Sequence, residues 1–140
     1  MHDPAAVLDD RNFTDFCLAV EGVSHFIYVA LCAAGRRSVS ALELELQAEV
    51  DKFACCVLLA KPNRDLRRQL YGDVGYADDL DGDERARYRT ANAGANRYAA
   101  MLERRFVRGE RTDALPLLAE LRNFYRMDLP DKLGHIARLG

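Results

Sequence analysis

Apolar residues recur along this chain at helical spacing, and no stretch alternates apolar and polar residues as a half-buried strand would. Leu42, Leu46, Val50, Phe53 and Val57 fall three or four residues apart, as do Tyr88, Ala91, Ala95, Tyr98, Leu102 and Phe106. An α-helix turns once in about 3.6 residues, so each set lies along one face. Such faces must be covered by another element. The pattern predicts an all-α fold, an irregular bundle of five to six helices around a central apolar helix at about residues 10–34. The 140 residues are expected to form a single helical domain, 1–140, with 1–9 flexible. A chain this long can build a core without staples.

The segment from Phe16 to Ala34 has only Glu21, Ser24 and His25 as strongly polar residues. Asp9 or Asp10 is placed to cap its helix, and Phe13, Phe16, Val20, Val23, Ile27 and Leu31 form its main face. A Glu and a His near the middle are costly in lipid, so the segment reads as a buried core helix and no membrane span is expected. Gly35 ends it. Ser40 and Glu43 match a capping box at the start of a second helix. Glu43, Glu45, Glu49 and Asp51 predict its wet face, while 53–60, apolar all round, should enter the core.

A short helix is expected from Arg64 to Tyr71, then an Asp- and Gly-rich loop at 72–83. A long helix follows from Glu84 to Arg108, stopped by Gly109. Thr112 caps a fifth helix, and Pro130 opens a last one reaching Leu139. In the long helix Gly94 stands among Ala91, Ala93, Ala95, Ala99 and Ala100. Glycine costs about 1 kcal/mol of helix propensity against alanine, which implies a close helical neighbour. The first helix of the same chain, or a second copy, is the expected mate, with Asn92 and Asn96 setting the register.

Motifs that demand a chemistry are absent from the sequence. Cys17, Cys32, Cys55 and Cys56 form no C-x-x-C pair and lie in apolar segments, as reduced cysteines of a cytoplasmic protein would. Glu21/His25 and Asp131/His135 are both spaced i,i+4, but no Glu-x-x-His of a di-iron bundle occurs, so no metal and no cofactor are expected. The acidic run from Asp78 to Glu84 fails the register of a calcium loop and suits the N-terminus of the next helix instead.

Charge is uneven. The net charge is −2, which gives no bulk attraction to nucleic acid or anionic lipid, yet residues 85–111 hold eight Arg and two Glu. Arg97, Arg104, Arg108 and Arg111 fall at helical spacings and form a candidate partner-binding stripe. The expected function is that of a non-catalytic helical interaction protein, an adaptor, regulator or inhibitor. It would bind another protein through helix surfaces, the Arg face of helix 84–108 among them, with a homodimer as one form of assembly. Two alternatives stand beside it. One is a ligand or metal binder, or an enzyme, with a pocket near Glu21 and His25; the other is a nucleic-acid binder using the Arg stripe.

Overall fold

A computed structural model describes residues 11–59, 65–72 and 81–139. The expectations for residues 1–9, for the caps Asp9 and Asp10, and for most of the acidic loop lie outside these residues. The fold is an all-α bundle: α1 (Phe13–Ala34), α2 (Ala41–Leu59), a π-helical turn (Arg68–Gly72), α3 (Gly82–Phe106), α4 (Ala114–Tyr125) and α5 (Leu129–Ala137).

The local signals act largely as read, except that Thr112 lies in a short strand and caps no helix, α4 starting after Asp113 without a side-chain cap. Ser40 Oγ accepts the Glu43 N–H at 3.1 Å, Asp81 Oδ1 accepts from Glu84 N at 2.7 Å, and Asp128 Oδ1 accepts from Asp131 N at 3.0 Å, so three helices start on side-chain caps. The capping box at Ser40 is only half made, because the Glu43 carboxylate turns to Tyr28 and Arg37. Gly109, at φ +62°, does not stop a helix. It makes the tip of a small hairpin in which Val107–Arg108 pairs antiparallel with Arg111–Thr112. Strands of two residues are too short to leave a period-two signature, so helical periodicity alone carries the long helix on to Arg108.

The centre of the bundle belongs to α2 and α3, a correction to the placing of the 10–34 helix there. Leu46, Val50, Phe53, Cys56 and Val57 of α2 meet Ala91, Ala95, Tyr98, Ala99, Leu102 and Phe106 of α3 in the main core, joined by Leu117, Phe124 and Ile136 from α4 and α5. The thin stretch of α3 is explained here. A Cβ on Gly94 would sit 3.3 Å from Leu46 Cδ1 and 3.6 Å from Ile136 Cδ1, so the close neighbours are α2 and α5 rather than α1. Asn92 and Asn96 serve a different segment from the one expected. Asn92 donates to the Tyr71 carbonyl and Asn96 accepts from Arg67, fastening the 65–72 turn to α3.

Lys132 is wholly buried. Its ammonium donates to the carbonyls of Phe124 at 2.5 Å and Tyr125 at 3.3 Å, at the C-terminal end of α4, where a cation also meets the negative end of the helix dipole. The rings of Phe124 and Tyr28 lie 4.5 and 5.4 Å from it. Phe124 in turn stacks on Tyr98 at 4.1 Å, and the Tyr98 hydroxyl donates to Glu120, which His135 also contacts.

Candidate functional site

α1 is turned inside out relative to an ordinary surface helix. Its buried residues are Ser24, Tyr28 and Cys32, and the polar side chains meet polar groups of α2. Ser24 donates to Asp51 at 2.6 Å and Tyr28 to Glu43 at 2.6 Å. Arg37 closes the second pair, 2.9 Å from Glu43 and 3.2 Å from the Tyr28 hydroxyl. Burial and the Glu43 hydrogen bond push the Tyr28 phenol well above its usual range. Glu43 and Glu45 are therefore interior residues, contrary to the expected wet face. Glu45 is held by Arg87 at 3.2 Å, and burial still raises its carboxyl above the usual range.

With Ser24 and Tyr28 facing inward, α1 leaves most of its large apolar residues from Leu18 onward outside. Leu18, Val23, Phe26, Ile27, Val29 and Leu31 are between 43 and 75% exposed. They spread over the outer half of the helix among Ala19, Gly22, Ala30 and Ala33, which are exposed as well. The six present on the order of 600 Å² of apolar surface, at the upper end of what a monomer shows. The 22-residue helix holds an 18-residue window of mean hydropathy 1.8, long and apolar enough by length and composition alone to cross a membrane.

Beside this face runs a cleft. A cavity of about 390 Å³ opens between α1 and Tyr125 of α4, lined by Phe16, Val20, Val23, Ile27 and Cys55, with Ser24 and Asp51 at its polar end. A second hollow of about 360 Å³ shares Asp51 and Tyr125 and continues toward Gln47, Leu118 and Leu121. The Asp51 carboxylate accepts from Ser24 and from Gln47, the latter at 2.9 Å, and burial raises it above the usual carboxylate range.

The residues singled out from the sequence are dispersed. Glu21 lies 3.6 Å from Lys52, which also binds Glu49 at 2.8 Å. His25 is half-buried, and its Nε2 has no partner. Neither residue lines the 390 Å³ cavity, which lies on the Ser24 side of the same helix. His135 is occupied with Glu120, and Asp131 sits exposed at the start of α5. Among the described residues no group of three His, Cys, Asp or Glu gathers as a metal site.

The Arg stripe divides into three environments. Arg97 donates to the carbonyls of Ala137 and Leu139, tying α3 to the end of α5. Arg104 is exposed on α3, while Arg108 and Arg111 stand opposite each other on the hairpin. The helical spacing that joined the four does not survive, because α3 ends at Phe106. Searched against protein-family models, curated proteins and solved structures, the chain matches none.

The cysteines are free but not equivalent. A hydrogen bond from Cys56 lowers the half-buried Cys17 thiol below its usual range against the opposing effect of burial, and Lys52 assists. Burial raises Cys55, and Cys56 rises with the same hydrogen bond and burial. The thiolate is the nucleophile, so iodoacetamide near neutral pH is expected to label Cys17 ahead of Cys55 and Cys56. Time-resolved peptide mapping checks the order, and labelling of Cys55 first would contradict it.

Proposed function

We propose that this chain is a non-catalytic interaction protein that docks a partner protein through the outer face of α1. The observation that carries the reading is the exposed set of Leu18, Val23, Phe26, Ile27, Val29 and Leu31 on a helix that turns Ser24 and Tyr28 inward. Single exposed apolar side chains are ordinary, but a continuous apolar face is an interaction surface in want of a cover. Interface cores are depleted of charge, and Asp15 near the start of α1 is the one ionised side chain of its exposed residues. An apolar helix laid along α1 would be read through residues three and four apart, here Leu18, Gly22, Phe26 and Val29.

The Arg residues are assigned a lesser part. Arg97 is engaged with α5, and Arg104, Arg108 and Arg111 do not share one helix face. The test places a photo-reactive phenylalanine analogue at position 26 and, separately, at position 104, in chains expressed in the native host. A defined heterologous adduct from position 26, lost when Leu18 and Val29 are both changed to Glu, is the expected result. Adducts from position 104 alone would overturn the reading and return the site to the Arg face. The length and hydropathy of α1 favour lipid as a second reading. Flotation of the purified chain with neutral vesicles, unaffected by salt, would establish that alternative in place of a protein partner.

A further inference from the structure

The cleft beside α1 holds a carboxylate that has hydrogen bonds but no cation. Ser24 Oγ donates to Asp51 Oδ2 at 2.6 Å, and Gln47 Nε2 donates to Oδ1 at 2.9 Å. Both donors are neutral, and among the described residues no ion pair engages Asp51. Lys132 acts on it only through its field, being bound to the carbonyls at the end of α4. A carboxylate offers about four lone-pair sites, so two remain. Next to them stands an apolar cavity of about 390 Å³ walled by Phe16, Val20, Val23, Ile27, Cys55 and Tyr125. Gln47, which lines the adjoining hollow, leaves its own Oε1 without a donor.

We propose that this cleft binds a small primary ammonium carried on a short alkyl or aryl stem, with the nitrogen on the Asp51 carboxylate and the stem along Val20, Val23 and Ile27. The inference does not rest on the docking reading, since Asp51 and the cavity carry it, although Val23 and Ile27 belong to both the cleft wall and the outer face of α1. A desolvated carboxylate without a hydrogen-bonded cation is costly, the field of Lys132 offsetting burial only in part, and an ammonium adds two charge-assisted hydrogen bonds. The walls are apolar and favour the stem in proportion to its buried area. The volume falls in the roughly 300–1,000 Å³ range of small-molecule sites. An anion is excluded by Asp51 itself, and a neutral alcohol gains only the apolar part.

The experiment titrates the whole chain with hexylammonium, hexanol and hexanoate, followed by protein NMR. Hexylammonium is expected to move the resonances of Val20, Val23, Ile27 and Tyr125, hexanol to bind about tenfold more weakly, and hexanoate not to bind. Asp51→Asn should bring hexylammonium down to the affinity of hexanol. Should that variant fail to fold, Val23→Trp, at an exposed wall position, is expected to fill the cleft and abolish binding while the chain keeps its circular dichroism. Equal affinities for hexylammonium and hexanol would overturn the proposal. So would unchanged binding in a folded Asp51→Asn or Val23→Trp chain, or no hexylammonium binding at about 10 mM.

Discussion

Replacing Lys132 by alanine is expected to destabilise the chain by about 3 kcal/mol, a fall of roughly 10 °C in Tm for a domain of this size. The side chain is fully enclosed, so truncation leaves a void between Phe124 and Tyr28 and removes the donor at the end of α4. Lys132→Met keeps the stem and should recover most of the loss, because a buried cation gives back much of its attraction as desolvation. A pH series separates charge from packing. Burial brings the Lys132 ammonium down from 10.5 to about 8. Below pH 8 the folded and unfolded chains both hold that proton, and the folded chain carries the whole cost of the buried charge. As pH rises past 8 the folded chain releases it first, the unfolded chain binds more protons, and stability rises. Above pH 9 the buried thiols Cys55 and Cys56, raised from 9.0, act in the opposite direction, so the gain is confined to about pH 8–9. Urea melts of the parent chain should show a clearly larger rise than those of Lys132→Met, in which the lowered Cys17 thiol still acts in the same direction. A parent profile flat or falling over this interval would show that Lys132 is not a desolvated cation.

A larger effect is expected from Ala95→Leu. Ala95 is fully buried on the core face of α3, among Ala91 and Ala99, where the α2–α3 packing has no room for three further carbons. Overpacking of this size costs about 3 kcal/mol or more, and loss of a cooperative thermal transition is the expected result. Ala93→Leu, on the exposed side of the same turn, should melt like the parent, since leucine is nearly as good a helix former as alanine. Similar melting of both variants would mean that α3 does not face α2 through its alanines.

The difference between these two alanines is partly legible in the sequence. The spacing of Tyr88, Ala91, Ala95, Tyr98, Leu102 and Phe106 marks the inward face of α3, and Gly94 marks a close approach. The position of α1 is not legible, and the reason is physical. When a helix is apolar nearly all round, periodicity has no contrast from which to choose a face, and the choice passes to its few polar residues. Ser24 and Tyr28, four apart, face α2 because Asp51 and Glu43 are there to receive them. That spacing is the available signal, and it is faint because a tyrosine counts among the apolar residues. The Glu residues of α2 mislead for the matching reason: a carboxylate is normally solvated, and only tertiary partners such as Arg37 and Arg87 make its burial tolerable. The Arg stripe depends on one helix continuing to Arg108, and a two-residue hairpin at Gly109 undoes it.

The bonds around Tyr28 also imply an order of assembly. Tyr28, Arg37 and Glu43 lie six to fifteen residues apart, across the short connection between α1 and α2. A helical hairpin closed over so short a loop loses little chain entropy, and contacts local in sequence form fast. The Met127 carbonyl, which meets the same Tyr28 hydroxyl at 3.5 Å, lies 99 residues away. The α1–α2 hairpin is therefore placed early on the folding route, and the closing of the C-terminal helices over Tyr28 late. Substitutions at Arg37 should then slow refolding, whereas substitutions at Lys132 should chiefly hasten unfolding.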